Sequence, residues 1–269
     1  MKSESAAKPD TDEPVYWEIG PPAAPVIVEN ADALLAYLPY FLTGWNIRWV
    51  GPSIHGEPDV CVKTYADQTF RVVGFGPGAA NFTFDNPYDA ADYLAGVLVR
   101  AHVARDPEAI CLNAGAAKID DGLVVLVGES SARKSSVGLH LAVLGHRFFG
   151  DERISVSIGS RAEGTCLGLM PKVHLPLPDN CGGAYREFVE GYSAMQNEEI
   201  AYLKLWEGEA ANFGESSSVR ALVFLDRIVM GEASLAPAPQ SDLVEKMVST
   251  AFAPHISARD LLSGLTQLA

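Results

Sequence analysis

The sequence lacks an apolar segment long enough to cross a membrane, because no apolar run approaches the ~20 residues that a spanning helix requires. Its first 14 residues are polar and contain no apolar core like that of a secretory signal. We therefore expect a flexible tail over 1–14. The two absences together predict a cytoplasmic protein that neither inserts into a membrane nor is exported.

Positive charge is also scarce, with 20 Lys and Arg residues against 34 Asp and Glu residues and a formal net charge of −14. Such a charge repels nucleic acid and anionic lipid, which bind proteins chiefly through Lys and Arg. The four cysteines (Cys61, Cys111, Cys166 and Cys181) are far apart and show no C-x-x-C spacing, so no zinc site or disulfide framework is indicated. Nucleic acid, membrane and structural zinc are not expected as partners.

What the sequence does contain is apolar material: 48% of its 269 residues are hydrophobic, enough for one large or two small domains. The first part has the pattern of a small α+β domain over 15–106. The second part, over 107–269, alternates apolar strands with helical segments and predicts an α/β domain. The boundary is expected at Arg105-Asp106-Pro107, which ends a long helix.

Local signals place the individual elements. Asn30 is expected to cap a helix that runs through Leu42, and Asn86-Pro87 opens a second, amphipathic helix. Asp120-Asp121-Gly122 predicts a hairpin turn before the apolar strand Leu123–Val127. Further strands are predicted at Asn46–Val50, Val60–Tyr65, Thr69–Phe75, Asn81–Phe84, Ala109–Ile119, His146–Gly150, Ile154–Ile158, Ile200–Leu205 and Ala221–Leu225, and further helices at Lys134–Leu144, Tyr185–Ala194, Ser241–Ala251 and Ser257–Leu268.

One segment carries a chemical motif: Gly128-Glu129-Ser130-Ser131-Ala132-Arg133-Lys134-Ser135-Ser136. It follows the P-loop pattern G-x-x-x-x-G-K-[ST] except at Arg133, where glycine is expected. In a P-loop the backbone amides and the helix N-terminus face a phosphate chain, Lys134 bridges the β- and γ-phosphates, and the Ser135 hydroxyl ligates Mg²⁺. The segment therefore predicts ATP and Mg²⁺ as cofactors; the alternative is a polar turn that binds no nucleotide.

Two carboxylates, Asp151 and Glu152, follow the next predicted strand. Parallel α/β sheets bind ligands at the carboxyl ends of their strands, so both side chains are expected near the loop. One acid can hold Mg²⁺, directly or through water, and the other can accept the proton of an attacking hydroxyl. The alternative is a solvated turn that Asp151 caps.

The stretch from Leu112 to Val156 resembles the catalytic domain of bacterial HPr kinase/phosphorylase and the wider group of HPr-kinase-like proteins. The residues that carry the resemblance are Leu112-Asn113, Asp120-Asp121-Gly122, Gly128–Ser136, Gly145-His146-Arg147 and Asp151-Glu152-Arg153. The resemblance implies a P-loop α/β kinase domain of the type shared with phosphoenolpyruvate carboxykinase, preceded by a smaller α+β domain. It also implies that Asp151 is the base that activates an acceptor serine and that Glu152 occupies a metal-associated position.

Three features depart from that family. Asn113 stands where the family has a histidine that assists proton handling, Arg133 replaces the last P-loop glycine, and the downstream Glu-x-Arg-Gly signature is missing. The missing signature argues against HPr as the acceptor. Two interpretations of Arg133 are open: its side chain crowds the phosphates, or its guanidinium neutralises phosphate charge while the backbone stays regular.

Other residues have plainer interpretations. Gly74-Phe75-Gly76-Pro77-Gly78 imitates a dinucleotide fingerprint but precedes a strand, which predicts a hairpin loop. Cys181 has no identifiable partner base and is not expected to be a nucleophile. Lys172, Arg186 and Arg220 are candidates for a phosphate clamp, with ordinary surface charge as the alternative.

The leading hypothesis is an ATP-dependent kinase that transfers the γ-phosphoryl group to a hydroxyl, a serine of a protein or peptide, which the N-terminal domain presents. The alternative is a nucleotide-binding regulator or scaffold with a degenerate P-loop, which Arg133 and Asn113 favour. A third hypothesis is an α/β protein that binds no nucleotide. A homo-oligomer is compatible with the sequence. The sequence does not identify the acceptor or an effector, and it does not indicate a phosphorylase activity.

Overall fold

A computed structural model describes residues 13–54, 56–77, 79, 81–129, 132–159, 161–226 and 234–269. These residues form an α/β fold with three β-sheets flanked by α-helices. Within the described ranges, no helix has both the length and the apolar character that crossing a bilayer demands.

In the first part of the chain, the residues that the structure describes form a six-stranded sheet covered by one long helix. Its elements are β1 (Tyr16–Gly20), β2 (Val26–Glu29), α1 (Asp32–Leu35), β3 (Asn46–Gly51), β4 (Val60–Thr64), β5 (Phe70–Gly74), β6 (Asn81–Phe84) and α2 (Pro87–Val103). The order is β3-β1-β2-β4-β5-β6, antiparallel except for the pair β2 and β4. The helix α2 begins as predicted, because the Asn86 side chain accepts a hydrogen bond from the Asp89 amide at 2.9 Å and Pro87 occupies the first turn.

The predicted helix from Asn30 through Leu42 is wrong. The chain instead forms the four-residue α1 and a separate 3₁₀ turn at Leu38–Tyr40. Asn30 has a left-handed φ of 57°, and its side chain accepts a hydrogen bond from the Val15 amide, so it fixes the chain beside β1 and does not cap a helix. Pro39 has no amide hydrogen to donate, which disfavours a continuous α-helix over this stretch.

The described residues of the second part of the chain form a seven-stranded sheet, a three-stranded sheet and four helices. Its elements are β7 (Ile110–Leu112), β8 (Gly115–Ile119), β9 (Gly122–Val127), α3 (Lys134–Val143), β10 (Arg147–Gly150), β11 (Ile154–Ile158), β12 (Ala162–Cys166), β13 (Lys172–His174), α4 (Gly183–Tyr192), β14 (Ser193–Gln196), β15 (Ile200–Leu203), β16 (Ser216–Phe224), α5 (Gln240–Thr250) and α6 (Ala258–Leu268). The orders are β10-β8-β9-β16-β12-β11-β7 and β13-β15-β14. The predicted single strand Ala109–Ile119 is two strands, because the chain bends at Asn113 and sends β7 and β8 to different places in the large sheet.

The direction of the strands decides where the site lies. The strand β9 is buried on both faces, since Val125, Leu126 and Val127 are each at most 2% exposed, as its continuous apolar run predicts. The large sheet is mixed, with β9 and β16 parallel and the strand β8 antiparallel to both β9 and β10. The strands β9 and β10 therefore run in the same direction and end at the same edge, which brings the segments that follow them together.

The two parts of the chain pack against each other through apolar side chains. The core between the six-stranded sheet and α2 includes Cys111, Leu167 and Tyr202 from the second part. The indole nitrogen of Trp45 donates a hydrogen bond to the Leu167 carbonyl oxygen at 3.0 Å. The ranges 15–106 and 107–269 each contain one large sheet, but the division into two domains stays a prediction. Residues 1–12 of the predicted tail lie outside the described residues.

Candidate functional site

The segment between β9 and α3 has the strand–loop–helix order that the sequence predicts. Gly128 has a φ of +155°, and a Cβ atom on it would lie 2.8 Å from the Leu225 carbonyl oxygen, so the backbone requires glycine there. The Ala132 amide donates a hydrogen bond to the Glu129 carbonyl oxygen at 3.0 Å. The third and fourth residues of the motif, Ser130 and Ser131, lie outside the described residues.

Lys134 is the first residue of α3, and its side chain folds back over the loop. Its Nζ donates hydrogen bonds to the carbonyl oxygens of Gly128 and Glu129, both at 3.0 Å, and the residue is only 6% exposed. Burial lowers the pKa of Lys134, and the carboxylates of Asp151 and Glu152 oppose that shift. The ammonium group thus lies among the loop, the N-terminus of α3 and two acidic residues.

Asp151 follows β10 and reaches the start of α3, as the shared strand direction requires. Its Oδ1 accepts hydrogen bonds from the Ser135 hydroxyl and from the Glu152 amide, both at 2.9 Å. Its Oδ2 accepts a longer hydrogen bond from the Lys172 amide at 3.5 Å. Burial, followed by the charge of Glu152, raises the pKa of Asp151 to about 6, and the hydrogen bond from Ser135 opposes the rise. The predicted proximity of this acid to the loop is therefore present.

A chain of charges leads from Asp151 to the first part of the molecule. The Glu152 carboxylate lies 2.9 Å from the Lys172 ammonium, which also lies 3.4 Å from the Asp92 carboxylate on α2. Burial alone lowers the pKa of Lys172, but the two carboxylates outweigh burial and raise it. Sequence reasoning missed Asp92, whose only signal is a carboxylate beside the buried positions of α2. Asp92 is partly buried, and this burial raises its pKa.

Arg133 occupies the position where the motif expects glycine, and its backbone adopts the conformation that favours glycine. Its φ and ψ are 62° and 38°, in the left-handed region, and its exposed side chain makes no capping hydrogen bond to α3. One interpretation of Arg133 held that its guanidinium neutralises phosphate charge while its backbone stays regular. The left-handed backbone shows that this condition is not met. A left-handed non-glycine residue costs about 1–2 kcal/mol, so the loop carries backbone strain at this residue.

These residues surround one cavity of about 790 Å³. Of the predicted site residues, its lining includes Glu129, Arg133, Lys134, Ser135, Ser136, Asp151 and Glu152, together with Asn113 and Lys172. Gly128 and Ala132 contribute the backbone of the loop outside the lining. The cavity size falls in the range typical of small-molecule sites, about 300–1,000 Å³.

The oxygen donors of the site fit a magnesium ion that is shared with a phosphate ligand. Among the described residues, no group of three or more His, Cys, Asp or Glu side chains could hold a metal ion by itself. The Ser135 hydroxyl and the Glu152 carboxylate both line the cavity, and Mg²⁺ is commonly bound by one or two protein oxygens plus phosphates and water. Glu152, the predicted metal ligand, is paired with Lys172 and stays a prediction in that role.

Two other sequence candidates are not part of the cavity lining. Arg186 donates to the Pro178 carbonyl oxygen and to the Cys181 sulfur, and Arg220 packs against Gly122 at the opposite end of β9. Of the three clamp candidates, the cavity lining contains Lys172 alone. The glycine-rich segment after β5 joins two antiparallel strands, as the predicted hairpin loop does; its Gly78 lies outside the described residues.

Fold and site together define an α/β protein with a lysine-bearing strand–loop–helix beside a buried aspartate. No protein-family model and no curated protein matches the chain. Among solved structures, the chain is similar to the HPr(Ser) kinase/phosphatase from Coxiella burnetii, with 18% sequence identity and a TM-score of 0.29 over 47% of this chain. The match spans 66% of the length of that structure's chain. It indicates a distant structural relationship and carries no functional inference.

Proposed function

We propose that the protein binds ATP with Mg²⁺ at residues 128–136 and transfers the γ-phosphoryl group to a hydroxyl. The observation that carries this proposal is the convergence of Lys134, Ser135 and Asp151 on one cavity at the ends of β9 and β10. A polyphosphate is bound by an ammonium group and a helix N-terminus, and its metal ion is bound by hydroxyl and carboxylate oxygens. The acidic surface elsewhere makes a free nucleotide a better candidate than a nucleic acid.

Phosphate binding is assigned to Lys134 and the loop amides. The Lys134 ammonium now donates to two loop carbonyls, and in the complex it would exchange them for oxygens of the β- and γ-phosphates. The N-terminus of α3 adds favourable potential for the same anion. Magnesium, when bound by Ser135 and Glu152, would neutralise phosphate charge and hold the chain of phosphates in line for transfer, which leaves Asp151 to act on the acceptor.

The role of accepting the proton of the attacking hydroxyl is assigned to Asp151. The acceptor oxygen attacks the γ-phosphorus and forms a new P–O bond, the bond to the β,γ-bridging oxygen breaks, and its electron pair leaves on ADP. The hydroxyl proton passes to the Asp151 carboxylate. With a pKa of about 6, this carboxylate is ionised at neutral pH yet is a stronger base than an ordinary aspartate.

The acceptor is proposed to be a serine of a protein or peptide, recognised with help from the first part of the chain. The ion pair between Asp92 on α2 and Lys172 joins that part to the cavity wall. HPr is not proposed as the acceptor, because the sequence lacks the Glu-x-Arg-Gly signature that the family uses for it.

A second candidate function is a nucleotide-binding regulator without transfer activity. The observation that favours it is the strained, left-handed Arg133 at the position of the P-loop glycine, since a long side chain there can crowd the phosphates. Asn113 in the cavity lining, in place of the family's histidine, points in the same direction.

Release of ADP from ATP·Mg²⁺ in the presence of serine-containing peptides separates the two candidates. The kinase proposal expects that Asp151→Asn keeps ATP binding and loses transfer, because the amide retains the volume and the hydrogen-bond acceptor but not the base. Asp121→Asn is the matched control, since Asp121 is exposed in the turn at the opposite end of β9 and should keep both properties. Full transfer by Asp151→Asn contradicts the assigned base. ATP binding without ADP release or labelled peptide favours the regulator.

A further inference from the structure

The cavity is larger than the phosphate-binding end that the proposed function uses. Its other wall is built from the second turn of α3, from β13 and from the segment before α4, with Val137, Leu177 and Pro178 among its apolar members. This wall also carries two aromatic rings, His140 of α3 and Tyr185 of α4. The same wall includes the polar side chains of His174 and Asn180, and a wall of rings and apolar groups with a few polar side chains is suited to a planar group with polar edges and not to more phosphate.

The two rings form a stacked pair with one anchored member. The ring centroids of His140 and Tyr185 are 4.0 Å apart and their planes are inclined by 30°. Tyr185 is 4% exposed and packs in the core with Leu139 and Val189, so its ring has a fixed position. His140 is exposed and lines the cavity, and Tyr185 covers one side of its imidazole, so a planar ligand would stack on the other side.

The spacing along α3 matches the shape of a nucleotide. Ser136, at the phosphate end, and His140 are four residues apart, so they lie on the same face of the helix with a rise of about 6 Å between them. A ribose spans a comparable distance between an α-phosphate and its base. The charge state of His140 agrees, because partial desolvation lowers its pKa and so favours the neutral ring at neutral pH, which is suited to stacking and not to pairing with phosphate.

We propose that His140, held in place by Tyr185, is the surface on which the base of the bound nucleotide stacks. The inference rests on the proposed function, because it assumes that the phosphates lie at Lys134. It goes further in assigning the second half of the cavity to the nucleoside and not to the acceptor. Stacking is tolerant of base identity, so ATP and GTP are expected to bind with affinities within about fivefold of each other.

The test compares ATP with inorganic tripolyphosphate, which has the phosphates but no base. Both are titrated calorimetrically with Mg²⁺ into the full chain and into His140→Ala. Loss of the ring should weaken ATP by at least fivefold, as loss of about 1 kcal/mol of stacking predicts, and leave tripolyphosphate unchanged. His140→Phe restores a stacking surface and should bind ATP within about threefold of the unmodified protein. His146→Ala removes an imidazole beyond the end of α3 and outside the cavity lining, so it should change neither affinity.

The outcomes distinguish this inference from the proposed function. Unchanged ATP affinity in His140→Ala overturns the base subsite while leaving nucleotide binding intact. An equal loss for ATP and tripolyphosphate also overturns it, because the residue then acts on the phosphates or on the fold. His140→Gln, which keeps a polar side chain but no ring, gives a second variant should alanine impair folding. If the unmodified protein binds neither ligand, the proposed function fails together with the subsite.

Discussion

Replacing Arg133 by glycine changes two things at once, the backbone strain and the positive charge, and a paired Arg133→Ala variant separates them. Glycine removes both the Cβ atom and the guanidinium. Alanine removes the guanidinium but keeps a Cβ at a φ of 62°. A property that differs between the two variants therefore depends on the backbone strain at residue 133. A change that both variants share depends on the lost guanidinium.

The stability change follows from the left-handed conformation. Relief of that conformation is worth about 1–2 kcal/mol, and the extra freedom that glycine gives the unfolded chain costs about 0.4–1 kcal/mol. Arg133→Gly should therefore be more stable than the unmodified protein by about 1 kcal/mol, whereas Arg133→Ala should show no such gain. Urea unfolding of the three proteins under the same conditions measures both differences.

The change in affinity decides between a working and a degenerate loop. The backbone of Arg133 already has the conformation that glycine would adopt, so the loop needs no rearrangement and the exposed guanidinium is free to contact phosphate. Both variants should then bind ATP·Mg²⁺ about fivefold more weakly by calorimetry, a loss of about 1 kcal/mol. Tighter binding by Arg133→Gly, without a gain in Arg133→Ala, would refute this reasoning and favour the regulator.

Two further predictions concern the charges around the cavity. In metal-free protein the folded pKa of Asp151, about 6, exceeds its ordinary value of 3.8, so the folded state binds the proton more tightly than the unfolded state. Protonation of Asp151 therefore stabilises the fold, fully below about pH 4, and this stabilisation is lost as pH rises through 6. Urea unfolding between pH 4 and 8 should therefore show a loss on the order of 2 kcal/mol that Asp151→Asn lacks; parallel curves would contradict the raised pKa. Lys172→Met should destabilise the protein by about 1 kcal/mol, a value reduced by partial exposure, because it leaves two carboxylates without their cation. In a double-mutant cycle Asp92→Asn should recover part of that loss, and strict additivity would show that the ion pair contributes nothing.

The parts of the structure that the sequence predicts are those with local signals. The apolar run of β9, the hairpin turn before it and the capped start of α2 each depend on residues a few positions apart. The loop follows β9 and Asp151 follows β10 along the chain. Because the two strands run in the same direction, Asp151 lies near the loop, as predicted. The site could be anticipated for the same reason.

Other features depend on contacts between distant residues and could not be predicted locally. Asn30 is a residue type that favours helix N-caps, but its side chain instead accepts a hydrogen bond from the Val15 amide. Asp92 and Lys172 are 80 residues apart and meet only because α2 packs beside the small sheet. The left-handed backbone of Arg133 contradicts the preference of its own side chain, so the residue type gives no signal of it.

The most direct test of the account is calorimetric titration of ATP·Mg²⁺ into the unmodified protein, Lys134→Ala and Lys63→Ala. Lys63 is an exposed lysine on β4 and serves as the matched control. We predict that the unmodified protein and Lys63→Ala bind with equal affinity and that Lys134→Ala, shown to be folded by urea unfolding, binds at least tenfold more weakly, a loss of about 1.4 kcal/mol or more. Equal affinities in all three proteins, or no binding to the unmodified protein, would contradict a nucleotide site at this loop.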